Sequence, residues 1–155
     1  MNINRHACAA TAIFLGSVIA SLPAWSQQCR LVEMKVSGQT AQAANVSVDL
    51  GEASPPDSSS PMAYQGPPKI RVGDGASCTA SDDVSIIFGR QWLAGNRIYF
   101  STYSGSENRV YAIDTRDCHT LWHSRVFEGG PAKYRNGVLI MGNQRVRLDR
   151  SCSPK

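Results

Sequence analysis

Two cysteines and two histidines in the C-terminal part of the chain are residue types that could form a reactive site. Cys118 and His119 are adjacent, His123 follows four residues later, and Cys152 lies close to the C-terminus. A thiolate beside an imidazole would be a nucleophile, and thiolates with imidazoles would bind zinc. Both functions need reduced cysteines, and the spacing resembles no zinc module. In an exported chain disulfides are favoured instead, and the two histidines are expected on the surface.

Adjacent and repeated aspartates could also supply catalytic carboxylates. Asp82 and Asp83 are neighbours, and Asp114 and Asp149 each follow a strand-like segment. A catalytic pair needs a cleft that gives its two members different surroundings. Aspartate also accepts hydrogen bonds from backbone amides in turns, so we expect Asp114 and Asp149 to cap turns. The sequence therefore predicts no catalytic, metal or cofactor site, and we do not expect an enzyme.

The segment STYSGSEN, residues 101–108, is small, polar and nearly uncharged between two strand-like flanks. It is longer than a two-residue turn requires, and its serines stand on either side of a flexible glycine. A rigid hairpin with such a tip could place hydroxyls in the catalytic cleft of another protein. A wide surface turn explains the same residues equally well. On the binding interpretation, the contact residues are Tyr103, Ser104, Gly105, Ser106, Glu107 and Asn108.

Short strands joined by turns account for most of the remaining sequence. NVSVDL, residues 45–50, alternates apolar and polar residues, and VSIIFG, residues 84–89, is an apolar strand candidate. The pattern predicts an all-β domain of roughly eight to ten short strands. Residues 51–68, rich in proline, serine and glycine, are predicted to be a long loop without regular structure. Turns are expected at Gly95-Asn96, Gly129-Gly130, Asn136-Gly137 and Gly142-Asn143.

The N-terminus has the pattern of a secretory signal peptide. Arg5 precedes an apolar stretch, and Ala24 and Ser26 occupy the −3 and −1 positions of a cleavage site. Cleavage after Ser26 makes residues 1–26 the signal peptide and leaves residues 27–155 as a single β domain. The apolar stretch is too short for a comfortable membrane span, so no stable membrane insertion is expected after cleavage. The mature protein is predicted to be soluble and periplasmic.

The charge of the chain does not favour a nucleic-acid partner. Cleavage removes one of 16 basic residues and none of the 12 acidic ones, so the excess positive charge is mild. The basic residues are spread along the chain, and they are not interleaved with aromatic residues as on a single-strand binding surface. We therefore expect no nucleic-acid partner.

A weak internal repeat links two predicted hairpins to two cysteines. GNRIYFSTYSGSENRVYAIDTRDC and NGVLIMGNQRVRLDRSC each contain a strand, a turn, a second strand, an aspartate and a short turn to cysteine. A fainter third copy is IRVGDGASC. The unit VYAIDTRDCHTLWHS resembles the blade repeat of quinoprotein-type β-propellers. That resemblance implies a small propeller-like or sandwich-like antiparallel β domain, for which we expect no quinone cofactor.

Four cysteines remain after signal cleavage, and an even number in an exported chain predicts two disulfides. Cys118 and Cys152 end equivalent repeat turns, so we favour a Cys118–Cys152 bond and, with it, Cys29–Cys78. A Cys29–Cys152 bond, which would tie the two ends of the domain together, is the main alternative.

A small exported β protein with two disulfides and a serine-bearing hairpin resembles the periplasmic immunity proteins of type VI secretion amidase effectors. The resemblance covers about residues 84–152, and it implies that Ser104, Gly105 and Ser106 enter the Cys/His site of a peptidoglycan amidase. The SG loop followed by a tyrosine-bearing strand resembles, more weakly, periplasmic inhibitors of c-type lysozyme. The expected function is therefore inhibition of a peptidoglycan hydrolase. The alternative is a non-inhibitory, propeller-like module that binds proteins of envelope assembly.

Overall fold

The computed structural model describes residues 29–56 and 62–155, so the predicted signal peptide, residues 1–26, lies outside the described residues. Every regular element in the described ranges is a β-strand, which confirms the all-β class. None of these segments forms a helix long and apolar enough to cross a membrane.

The described ranges contain 15 strands rather than the eight to ten expected, because several strands are only two or three residues long. The strands are β1 (Val32–Glu33), β2 (Lys35–Ser37), β3 (Thr40–Ala43), β4 (Val46–Asp49), β5 (Glu52–Ser54), β6 (Ala63–Gln65), β7 (Lys69–Val72), β8 (Ser77–Thr79), β9 (Ile87–Ala94), β10 (Arg97–Ser104), β11 (Glu107–Asp114), β12 (Thr120–His123), β13 (Lys133–Arg135), β14 (Val138–Met141) and β15 (Gln144–Arg147).

The strands form three antiparallel sheets. The central sheet has seven strands in the order β12-β11-β10-β9-β6-β5, and its seventh strand, β1, pairs with β9. The N-terminal sheet has the order β2-β3-β4-β7-β8, and the C-terminal sheet has the order β13-β14-β15. Neighbouring strands in the sheets are mostly consecutive in the chain, because tight hairpin turns connect them.

The central sheet is buried on both faces at its middle strands, β10 and β11. Ile98 and Phe100 of β10 pack into a first core shared with the N-terminal sheet, whereas Tyr99 points into a second core shared with the C-terminal sheet. Side chains alternate between the two faces of a strand, so a strand can be continuously apolar only where both faces are covered. The run Ile98–Ser101 is fully buried for this reason. The β10–β11 hairpin is therefore held from both sides.

The repeat turns predicted at Asp114 and Asp149 are present and share one geometry. Oδ1 of Asp114 and Oδ1 of Asp149 each accept the amide hydrogen two residues on, at 2.9 Å and 2.8 Å. Each turn ends at a cysteine with a left-handed backbone, Cys118 at φ 60° and Cys152 at φ 59°. The third predicted copy is wrong, because Cys78 lies within strand β8 instead of after a turn of this kind.

The disulfide pairing predicted from these turns is wrong. Cys29 bonds to Cys152, and Cys78 bonds to Cys118. The two turns end hairpins of different sheets, so Cys118 packs into the first core and Cys152 into the second. Each cysteine meets the earlier segment on its own side of the central sheet. The Cys29–Cys152 bond thus ties the two ends of the domain together.

Two tyrosines support the joined ends. The Tyr99 hydroxyl donates a hydrogen bond to the carbonyl of Cys152, and the Tyr134 hydroxyl donates to the carbonyl of Cys29 at 2.5 Å. Burial raises the pKa of Tyr99 to about 12, so its hydroxyl keeps its proton and stays a donor near neutral pH. The ends are therefore held by hydrogen bonds as well as by the disulfide.

Residues 51–68 contain a short hairpin, so the prediction of a loop without regular structure is wrong. β5 and β6 pair within this segment, and β5 is the outer strand at that end of the central sheet. The prolines lie beyond the strands: Pro55 and Pro56 follow β5, and Pro67 and Pro68 follow β6. Strands three residues long between prolines show no measurable period, which is why the pattern indicated a loop. Residues 57–61 lie outside the described ranges.

Acid is expected to weaken the turn at Asp114. Arg116 Nε donates to Oδ1 at 2.9 Å and Nη2 to Oδ2 at 2.6 Å, and these hydrogen bonds hold the pKa of Asp114 at about 2, below its usual 3.8. A carboxylate with a lowered pKa stabilises the fold above about pH 4, and this contribution is lost as the pH falls toward about 2. Because the Arg116 side chain is 72% exposed, we expect a loss of about 1 kcal/mol.

Urea unfolding of the wild type and of Asp114→Asn, at about pH 5 and about pH 2, measures this contribution. The asparagine cannot titrate, so the variant should lose about 1 kcal/mol less than the wild type over this interval. Equal losses in the two proteins would show that the Arg116 pair does not stabilise the fold.

Candidate functional site

The STYSGSEN segment forms the end of the β10–β11 hairpin. Ser104 pairs with Glu107, so Gly105 and Ser106 alone form the turn, and the expectation of a wider loop is wrong. Gly105 has a φ of +65°, which a residue with a side chain adopts only at a cost. Positive φ at the first of two turn residues is typical of a type II′ hairpin. Paired strand therefore continues almost to the end of the hairpin.

The tip of the hairpin is exposed, as the binding interpretation requires. Ser104, Gly105, Ser106 and Glu107 are all exposed. Apart from its chain neighbours, no atom lies within 4 Å of the position that a Cβ would take on Gly105. These four residues, which we call the tip, are therefore open to contact by another molecule.

The part of the hairpin beneath the tip is buried. Thr102 is almost fully covered, and the Oγ of the buried Ser101 accepts the amide hydrogen of Ala132 at 3.3 Å. The change from buried to exposed residues takes place within two positions of the strand. A small polar tip on a fully packed strand pair is the arrangement that presents a loop in one fixed orientation.

Asn108, one of the predicted contact residues, belongs to this buried part. Its exposed fraction is 4%, and its backbone exchanges hydrogen bonds with Phe127 at 2.9 Å and 3.0 Å. Its side-chain Nδ2 donates to the carbonyl of Gly129 at 2.7 Å. Asn108 therefore fastens the segment 127–129 to β11.

Tyr103 stands between the buried part and the tip. Its ring meets the ring of Phe88 edge-on, with the centroids 5.2 Å apart and the planes at 70°. An aromatic pair of this kind is worth about 0.5–1.5 kcal/mol, so it orients the Tyr103 ring. The residue remains 37% exposed, and the exposed part is available to a partner.

A groove of about 500 Å³ opens beside the tip. Phe88 lines this groove, but its role was not predicted, because in the sequence Phe88 is only one of several apolar residues in a predicted strand. The register pairs Phe88 with Ser101, two residues from Tyr103 on the same face of the sheet. Met62, 79% exposed, adds a second apolar side chain. The residues that line the groove are Met62, Phe88, Tyr103, Gly105, Ser106, Asn108, Glu128 and Gly129.

The other residues considered for chemistry do not converge on a site. Cys118 is held in a disulfide and offers no thiolate, and His119 and His123 lie on the surface as predicted. Asp82 and Asp83 are exposed on a turn. Over the described ranges, no three residues of the histidine, cysteine, aspartate and glutamate types are grouped so that they could hold a metal ion.

Replacing Asn108 with alanine is expected to lower the free energy of unfolding by about 1 kcal/mol, because the hydrogen bond from its buried Nδ2 to the Gly129 carbonyl is lost. Ser106→Ala, at the exposed tip, should change it by less than about 0.5 kcal/mol. Urea unfolding of both variants measures the difference. If the two variants were equally stable, the division between buried part and tip would be wrong.

No protein-family model and no curated protein sequence matches this chain.

Proposed function

We propose that this protein is an exported inhibitor that blocks a peptidoglycan hydrolase by inserting its hairpin tip into the active-site cleft. The observation that carries the proposal is the exposed Ser104–Glu107 tip on a hairpin whose base is buried on both faces. A tip held in one orientation loses little conformational entropy on binding, and such preorganisation strengthens binding.

The chemistry of the tip suits a narrow polar cleft. The hydroxyls of Ser104 and Ser106 can each donate and accept hydrogen bonds, and Gly105 between them adds no side chain. Small side chains let the backbone approach a catalytic pair closely. Tyr103, with its ring oriented by Phe88, would contact the rim of the cleft as an aromatic anchor.

A periplasmic hydrolase is the target class that best fits the remaining features. The signal-peptide pattern of residues 1–26 predicts export, and two disulfides are typical of an oxidising compartment. Within this class we favour a type VI amidase effector, whose Cys/His site would accept hydrogen bonds from the tip hydroxyls. On this account the protein is an immunity protein that catalyses no reaction itself.

Co-expression in the periplasm tests the proposal. The hydrolases to test are those encoded beside this protein, since effector and immunity genes usually lie together. Cells that produce hydrolase alone should lyse, and cells that also produce this protein should survive. If cells lysed to the same extent with and without the protein, for every such hydrolase, the proposal would be wrong. Capture of envelope assembly proteins and no hydrolase would favour the alternative module.

A further inference from the structure

A second groove, of about 670 Å³, follows β13 at the edge of the C-terminal sheet. All three residues of β13 line it, and its other wall belongs to the segment that includes β1 and to β9. Leu31, Trp92 and Tyr134 give it an apolar lining. The groove lies between two sheets and is open to solvent on the outside, so an extended chain has room along β13. We call it the edge groove.

The edge groove contains an unused strand edge. Among the described strands, β13 pairs only with β14. The amide of Leu148 donates to the carbonyl of Gly137 at 2.8 Å, so alternate residues of β14 face β15, and Val138 and Ile140 face β13. Their partners Lys133 and Arg135 are thereby bonded to β14. The amide and carbonyl of Tyr134 consequently point toward the open edge.

The face of the C-terminal sheet next to this edge is cationic. Leu139 and Met141 of β14 point into the second core, so Val138 and Ile140, which alternate with them, point outward together with the residues paired to them. The register aligns them in two rows across the sheet: Lys133, Ile140, Arg145 and Arg135, Val138, Arg147.

The four cations of these rows are exposed, and none of them forms an ion pair with another described residue. Strand geometry places them about 7 Å apart along the strands and about 10 Å apart across the sheet. The face contains no acidic residue. On the far wall of the edge groove, Arg90 is already paired with Glu33 at 2.8 Å.

We propose that the edge groove binds an extended acidic segment of a partner protein as an additional antiparallel strand beside β13. The residue opposite Tyr134 would point to the same face as Tyr134, over Leu31 and Trp92, and is therefore apolar. Its two neighbours would point outward beside Lys133 and Arg135, and they are therefore acidic. The recognised pattern is acidic–apolar–acidic, with main-chain bonds for affinity and charge for selection. This site is separate from the hairpin tip and does not depend on its function.

Peptide binding to the isotope-labelled mature protein, followed by NMR, tests the proposal. The probe is the capped peptide Thr-Glu-Val-Glu-Thr, and the control peptide is Thr-Lys-Val-Lys-Thr. The glutamate peptide should shift the amide signals of Lys133, Tyr134 and Arg135, and the lysine peptide should not. The double variant Lys133→Glu with Arg135→Glu should bind the glutamate peptide about tenfold or more weakly than the wild type does. It should bind the lysine peptide instead.

A matched control separates this site from general charge attraction. Lys69 and Arg71 are the exposed residues of the same Lys-x-Arg spacing on β7, and their double reversal to glutamate changes the net charge equally. This control should bind the glutamate peptide like the wild type, and an equal loss in both double variants would overturn the proposal. N-methylation of the peptide valine should abolish binding; a methylated peptide that still binds would overturn it too. Poly-glutamate or anionic vesicles form a further comparison. If they shifted the amide signals of the outward face without shifting the Tyr134 amide, the site would recognise charge alone and the proposal would be overturned.

Discussion

Replacing both Cys29 and Cys152 with alanine is expected to lower the free energy of unfolding by about 5 kcal/mol, the value that chain entropy gives for so long a loop. The bond joins residues 123 positions apart, so it restricts nearly the whole unfolded chain. Without the bond, the two ends would be held only by the hydrogen bonds from the hydroxyls of Tyr99 and Tyr134. Denaturant unfolding of the oxidised wild type and of the double variant measures this change.

Replacing Cys78 and Cys118 with alanine is the matched control. These residues are 40 positions apart, and the same entropy argument gives a smaller loss of about 4 kcal/mol. The order of the two losses is the specific expectation. If the Cys78–Cys118 variant were clearly the less stable one, native packing around that bond in the first core would outweigh loop length.

Replacing Ser106 with arginine is expected to weaken binding to the target hydrolase by more than about a hundredfold. In a narrow cleft the long cationic side chain would clash, or it would leave a charge buried without a partner. Ser106→Ala removes only one hydrogen bond to a charged group, and we expect a loss of about tenfold to a hundredfold. Calorimetric titration of each variant with the hydrolase gives the dissociation constants.

A thermal melt accompanies each titration, because a binding defect has meaning only in a folded variant. Ser106 is exposed at the turn, so neither substitution should shift the melting temperature much. Arg125→Ala, at another exposed position, is a control that should bind normally. Normal binding by a folded Ser106→Arg variant would show that the tip is only a turn and that the contact surface lies elsewhere.

Local turn chemistry made much of the fold predictable. The pairs Gly95-Asn96, Asn136-Gly137 and Gly142-Asn143 lie between consecutive paired strands, as expected of residues that adopt the backbone angles of tight turns. Asp114 and Asp149 cap turns because an aspartate oxygen reaches the amide two residues on. Each of these turns depends on residues that are close together in the chain, so it can be predicted from the local sequence.

Long-range pairing was not predictable from the same patterns. Cys118 and Cys152 end equivalent turns, yet they lie in the two different cores that the central sheet separates. Which sheets stack depends on total burial and not on any local motif. For the same reason the contact between Phe88 and Tyr103, which depends on the β9–β10 register, was not visible in the sequence. The candidate site was thus predicted in its tip residues but not in its groove.

Inhibition of the target hydrolase by the purified protein tests the central claim most directly. Release of soluble fragments from purified peptidoglycan would be measured while the mature protein is titrated into a fixed amount of the hydrolase encoded beside it. The wild type should abolish the activity near an equimolar ratio, and Ser106→Arg should leave it almost intact at the same ratio. Equal inhibition by the two proteins, or no inhibition by the wild type, would contradict the account.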